Sequence, residues 1–112
     1  MTDKPSSGDL VIRLGNEIAS RKGGNPTESY TAKLFSKGRS HIAKKFGEEA
    51  VEVVIATMED NREQIIYESA DLLYHWLVLL SSVGVTFDEV MAEMARREGT
   101  SGIQEKNSRP AS

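Results

Sequence analysis

The sequence has no cysteine, only three prolines, and few aromatic side chains: one Trp, three Tyr and three Phe in 112 residues. Without cysteine there is no disulfide framework, no thiolate zinc site and no thiol nucleophile, a composition suited to a reducing compartment, so a cytoplasmic location is expected. No run of about 18 apolar residues occurs, and the polar start has neither the basic nor the apolar part of a signal peptide. Neither a membrane span nor a membrane partner is therefore expected. An excess of positive charge is also missing: 17 Asp and Glu stand against 14 Lys and Arg, with a net charge of -3 and a pI near 5.4. This argues against a nucleic-acid-binding face. No Gly-rich loop leads into Lys-Ser or Lys-Thr, and nothing resembles a nucleophilic triad. Any phosphate chemistry must then come from side chains and ions. The length fits one domain and hence one site.

What is present is helical periodicity. Residues 1–9 form a polar lead and residues 107–112 a similar tail, both expected to be flexible. The domain between them, residues 10–106, is expected to be all-α, an antiparallel bundle of about five helices. Asp9 is a candidate N-cap for a first helix ending near Arg21, with Leu10, Val11, Leu14 and Ile18 on its apolar stripe. Gly23-Gly24-Asn25-Pro26 makes a loop, Ser29 can cap a short helix to about Ser36, and Gly38 closes it. Ser40 then starts a helix reaching about Met58. Asp60-Asn61-Arg62-Glu63 has capping-box spacing for the next, which runs to about Val83, and the tight link makes the two antiparallel. Gly84 ends that helix, and Thr86-Phe87-Asp88-Glu89 opens a last one to about Arg97.

Two of these helices have unusual faces. At about 100° per residue, His41, Lys44, Lys45, Glu48, Glu49 and Glu52 share an arc of roughly 140°, and Gln64, Glu68, Asp71, His75 and Ser82 a stripe of only about 60°. An ordinary surface helix has an apolar stripe near 100° wide. Here the proportion is inverted, so both helices are expected to be central, and five helices cannot cover such wide apolar arcs. A homodimer, or a higher even oligomer, is expected to complete the core.

Antiparallel packing can bring the two acidic stripes together. Like charges about 5 Å apart repel by roughly 3 kcal/mol at an effective dielectric near 20, against under about 1 kcal/mol in water. Clustered carboxylates therefore need either solvent or cations, and ordinary solvated stripes are the plainer reading. If a cation is present, an all-oxygen donor set favours Mg²⁺ over zinc, and Mg²⁺ points to a phosphate substrate.

Spacing favours the cation. Glu48-Glu49-Ala50-Val51-Glu52 reads EExxE, and after 15 residues Glu68-Ser69-Ala70-Asp71 reads ExxD. With these, Ser29-Tyr30-Thr31-Ala32-Lys33-Leu34, the stretch Ile42-Ala43-Lys44-Lys45-Phe46-Gly47, Ala70-Asp71-Leu72-Leu73-Tyr74-His75, and the block from Arg96-Arg97 through Gly99, Ser101, Gly102, Glu105 and Lys106 cover most of the chain. The sequence resembles the phosphoribosyl-ATP pyrophosphatase family, within the all-α nucleotide pyrophosphohydrolases that also include MazG-like enzymes and dimeric dUTPases.

The resemblance implies hydrolysis of phosphoribosyl-ATP, between its α and β phosphates, to phosphoribosyl-AMP and pyrophosphate in histidine biosynthesis. Glu49, Glu52, Glu68 and Asp71 are the expected Mg²⁺ ligands, and Glu48, also placed in the catalytic set, is the candidate general base. Lys44 and Lys45 are expected to contact the polyphosphate, and Arg96, Arg97 and Lys106 the second phosphoribosyl arm, although basic residues at a helix C-terminus also offset its dipole. His41 and His75 are better explained by partner hydrogen bonds than as ligands to a hard cation, and Tyr30, Tyr74 and Trp76 as core or interface. The competing readings are a MazG-like or dUTPase-like enzyme acting on free nucleoside triphosphates, and a non-catalytic helical dimerisation module. No glutamate stands three residues before either histidine, so a di-iron carboxylate bundle is excluded.

Overall fold

A computed structural model describes residues 6–109, in which all regular secondary structure is helical. In chain order the helices are α1 (Ser7–Ser20), α2 (Tyr30–Lys37), α3 (Arg39–Met58), α4 (Arg62–Ser82), α5 (Phe87–Arg97) and α6 (Gly102–Ser108). The all-α expectation holds, with one helix more than the five expected.

The starts follow capping chemistry, in places one residue away from where the sequence suggested. Ser6, not Asp9, caps α1, and the Asp9 amide donates to its Oγ. Helix α1 therefore begins inside what was expected to be a flexible lead; residues 1–5 and 110–112 of the expected lead and tail lie outside the described residues. Helix α3 starts at Arg39 rather than beyond Ser40, and its N-cap Gly38 offers no side-chain bond. Gly38 also closes α2, at φ 93°. Asn61, not Asp60, caps α4 by accepting from the Gln64 amide. Asp60 instead takes the left-handed turn position, φ 59°.

Ile18, Leu34, Ile42, Leu77 and Val78 form the core, one or two from each of α1 to α4, with Val11, Phe35, Tyr74, Trp76, Leu79 and Phe87 packed around them. Each fully buried aliphatic side chain contributes roughly 1.5–3 kcal/mol, so this small cluster is what joins the elements. Helices α3 and α4 share the largest contact, and with only residues 59–61 between them they lie antiparallel. Helix α2 is stitched to α4 by polar contacts as well. The Tyr30 hydroxyl meets His75 Nε2 at 3.3 Å, and the Thr31 hydroxyl bonds the Tyr74 hydroxyl. Burial pushes the Tyr74 phenol above its ordinary range, and nearby Tyr30 adds to this while the Thr31 bond opposes it.

Beyond this core, α3 and α4 leave much apolar surface open. Val51, Val54, Ile55 and Met58 of α3, and Ile66, Tyr67 and Leu73 of α4, are exposed. An open groove lined by Phe46, Ser69, Leu72, Leu73 and Trp76 runs beside them. No single helix among the described residues is long and apolar enough to cross a membrane.

Candidate metal centre

Glu49 lies midway along α3, while Glu68 and Asp71 lie in the first half of α4. Because the helices run antiparallel, side chains from these two stretches face one another. A three-residue interval on a helix turns through about 300°, which keeps Glu68 and Asp71 on one side. Glu49, Glu68 and Asp71 each place a carboxylate oxygen within 4.8 Å of the other two, and all three side chains are half-buried. The two acidic stripes thus meet, as expected.

The electrostatics record the crowding. The Glu68 carboxyl is held above its usual range first by loss of hydration and then by the charges of Glu49, Glu52 and Asp71. A carboxylate surrounded by three others of the same sign, with no cationic side chain bonded to the group among the described residues, is suited to a multivalent cation. Three clustered oxygens of this kind suit a hard divalent ion such as Mg²⁺ and offer nothing to a soft one.

The remaining acidic residues sit around this group rather than in it. Glu52 is exposed and outside the three, yet near enough to act on Glu68. Glu48 is exposed on the turn before Glu52. Lys45 is half-buried and Lys44 exposed, one turn ahead of the acidic residues on α3. His75 is buried, with Nδ1 2.8 Å from the Asp71 carbonyl and Nε2 engaged by Tyr30. Both ring nitrogens are therefore occupied, in keeping with a hydrogen-bonding role. Tyr30 stacks at 6.3 Å on Tyr74, and Trp76 meets Phe87 edge-on at 6.1 Å, which makes Tyr74 and Trp76 packing residues.

Arg96 and Arg97 are placed elsewhere, at the end of α5. Arg96 donates Nε and Nη2 to the two oxygens of Glu93 at 2.9 and 2.8 Å, and Arg97 Nε donates to Glu93 Oε2 at 2.9 Å. Arg96 Nη2 also reaches Glu105 of α6 at 2.6 Å. These bonds hold Glu93 down at about 2 and raise Arg96 further above its already high value. Lys106 is exposed on α6. Glu105 stands in the C-terminal block that carries the family resemblance, but no site role was expected of it, because one glutamate in a polar segment carries no spacing signal.

The model of a family described as phosphoribosyl-ATP pyrophosphohydrolase matches residues 11–98, a span that holds every carboxylate of the candidate centre. The chain belongs to this family. It is 60% identical over 100 residues to the phosphoribosyl-ATP pyrophosphatase of Paramagnetospirillum magneticum, covering 89% of this chain and 92% of that one. With the enzyme of the same name from Rhodospirillum rubrum the identity is 54% over 105 residues, covering 94% and 90%. With that of Rhodobacter capsulatus it is 53% over 99 residues, covering 88% and 96%. The matches to these relatives thus extend over nearly their whole lengths.

Proposed function

We infer that this chain hydrolyses phosphoribosyl-ATP to phosphoribosyl-AMP and pyrophosphate, in histidine biosynthesis, using a Mg²⁺ centre on α3 and α4. Membership of the family carries the substrate, and the meeting of Glu49, Glu68 and Asp71 carries the chemistry. These three would hold the ion, with Glu52 as the fourth carboxylate close by. When bound, Mg²⁺ neutralises charge on phosphate oxygens and orders a water for in-line attack.

The chain's own groups do the rest. Glu48 is exposed, outside the clustered three, and free to take a proton from water. Lys45, half-buried one turn earlier, would meet a polyphosphate oxygen as a point charge, with the more exposed Lys44 beside it. Arg96, Arg97 and Lys106 are assigned to the phosphoribosyl arm. Terminal nitrogens of Arg97 that make no hydrogen bond among the described residues, and the positive charge of Lys106, support that assignment.

We further infer a homodimer acting in the cytoplasm. Open apolar residues on α3 and α4, flanking the carboxylate-bearing stretches, favour a second copy lying against those helices. The absence of cysteine favours the compartment.

The function is tested by measuring pyrophosphate release from phosphoribosyl-ATP beside ATP and dUTP. Phosphoribosyl-ATP should be the preferred substrate by kcat/KM. Equal or faster release from a free triphosphate would overturn the assigned substrate.

A further inference from the structure

Tyr30, the first residue of α2, is 52% exposed, yet its hydroxyl is anchored. It meets Nε2 of the buried His75 at 3.3 Å, and the other ring nitrogen of that histidine lies 2.8 Å from the Asp71 carbonyl. A carbonyl only accepts, so Nδ1 carries a proton there, and in the neutral ring Nε2 is left to accept from the tyrosine. Tyr74 stacks against Tyr30 with ring centres 6.3 Å apart and planes 25° from parallel, and His75 meets it edge-on at 6.1 Å. The phenol is thus held at its hydroxyl and along one side, while half of the residue faces solvent.

Packing does not account for that open half. Apolar ring surface left in water contributes nothing to folding, whereas a fixed aromatic plane stacks on a nucleobase at little entropic cost. Its position suits such a use. His75 follows Asp71 by four residues on α4, and side chains so spaced are neighbours about 5–6 Å apart. The anchored phenol therefore stands one helical turn and one histidine ring from a carboxylate of the metal centre. That is comparable to the span from an α-phosphate across its ribose to the base.

The assigned substrate makes a particular demand on such a plane. Its second ribose is carried on N1 of the adenine, and substitution there makes the base an amidine that takes up a proton near neutral pH, where the adenine of ATP is neutral. A flat cation over an aromatic face is attracted by the quadrupole of the ring, an attraction a neutral base lacks.

We propose that Tyr30 is the stacking platform for the base of the nucleotide held at the carboxylate centre, and that its ring favours a cationic, N1-substituted purine over a neutral one. Resting on the substrate assigned above, this role makes Tyr30 a specificity-determining residue that separates phosphoribosyl-ATP from ATP at the base itself.

The test is binding of 1-methyl-AMP and 1-methyl-IMP to the full chain with Mg²⁺ present, followed by nuclear magnetic resonance. The two nucleotides have nearly the same shape, but at neutral pH the first base is cationic and the second is not. The unmodified protein should favour 1-methyl-AMP by about two- to fivefold, the strength of a cation–π contact at a partly exposed ring. Tyr30→Phe, which keeps the ring, should retain most of that preference, and Tyr30→Leu should abolish it. Equal binding of the two nucleotides by the unmodified protein, or binding of neither, overturns the proposal. So does a preference that survives in Tyr30→Leu, or one lost as fully in Tyr30→Phe. If the preference is present but phosphoribosyl-ATP is not turned over, the substrate assignment fails and the purine platform stands. If phosphoribosyl-ATP is turned over but the preference is missing, the purine platform fails and the substrate assignment stands.

Discussion

Single side chains here are governed by their neighbours, and Glu93 is the clearest case. Two guanidinium groups hold its carboxyl at about 2, below its ordinary value of 4.5. A group depressed on folding stabilises the folded state above its unfolded pKa, and that contribution is lost as pH falls through the folded value. Stability should therefore decline as pH drops from about 4.5 towards 2, and Glu93→Gln should flatten that part of the curve, as read by thermal melts across the range. Spacing made Glu49, Glu68 and Asp71 legible as a group, since residues three apart on one helix share a face and the antiparallel partner supplies the third. It could not separate Glu52, one turn further along α3, from the three that meet. His75 read as part of the acidic stripe, yet it is buried, because its partner Tyr30 comes from α2 and periodicity within one helix carries no information about a neighbour. The same reason left Glu105 without an expected partner, since its bond is to Arg96 of another helix.

At the scale of elements, apolar periodicity located five helices; α2 and α5 start at the expected caps Ser29 and Thr86, while the starts of α1, α3 and α4 differ by a residue or more. Polar side chains at Ser6, Ser29, Asn61 and Thr86 each accept from an amide three residues on, satisfying one otherwise unpaired donor. Asp9 competed for the first role, but Ser6 lies three residues earlier and lengthens α1 by a turn. Helix α6 was not legible because it has seven residues and a single large apolar side chain, Ile103. Its local signal is the capping box of Ser101 and Gln104, and its long-range tie is Glu105 to Arg96. Two glycines, one at the start of α3 and one inside it, should respond oppositely to the same change. Gly38 has φ 93°, so Gly38→Ala should cost about 1–2 kcal/mol of backbone strain even though no atom lies within 4 Å of the added carbon. Gly47 is interior to the helix with equally open space, so Gly47→Ala should raise stability by about 0.5–1 kcal/mol. Urea unfolding of the two variants checks both signs.

For the whole molecule, the single chain is more open than its length requires. Its radius of gyration is 16.5 Å, against about 13 Å for a compact domain of this size. Apolar arcs of α3 and α4 that were too wide for five helices to cover remain open at Val51, Val54, Ile55, Met58, Ile66 and Tyr67. A second copy on this face should give light-scattering mass twice that of one chain at micromolar concentration. Ile66→Asp, placing a charge in the middle of the face, should lower both the mass and the melting temperature. A stable, folded monomer across a dilution series would contradict the homodimer.

The proposed role of Glu49, Glu68 and Asp71 is to hold jointly a divalent cation needed for pyrophosphate release. It is tested most directly by following release from phosphoribosyl-ATP against free Mg²⁺, for the unmodified chain and for Glu49→Gln, with helical content checked by circular dichroism. Turnover should depend saturably on Mg²⁺, vanish in chelator, and fall by at least about a hundredfold in Glu49→Gln with helicity unchanged. Undiminished turnover in chelator, or by the Glu49→Gln protein, would contradict it.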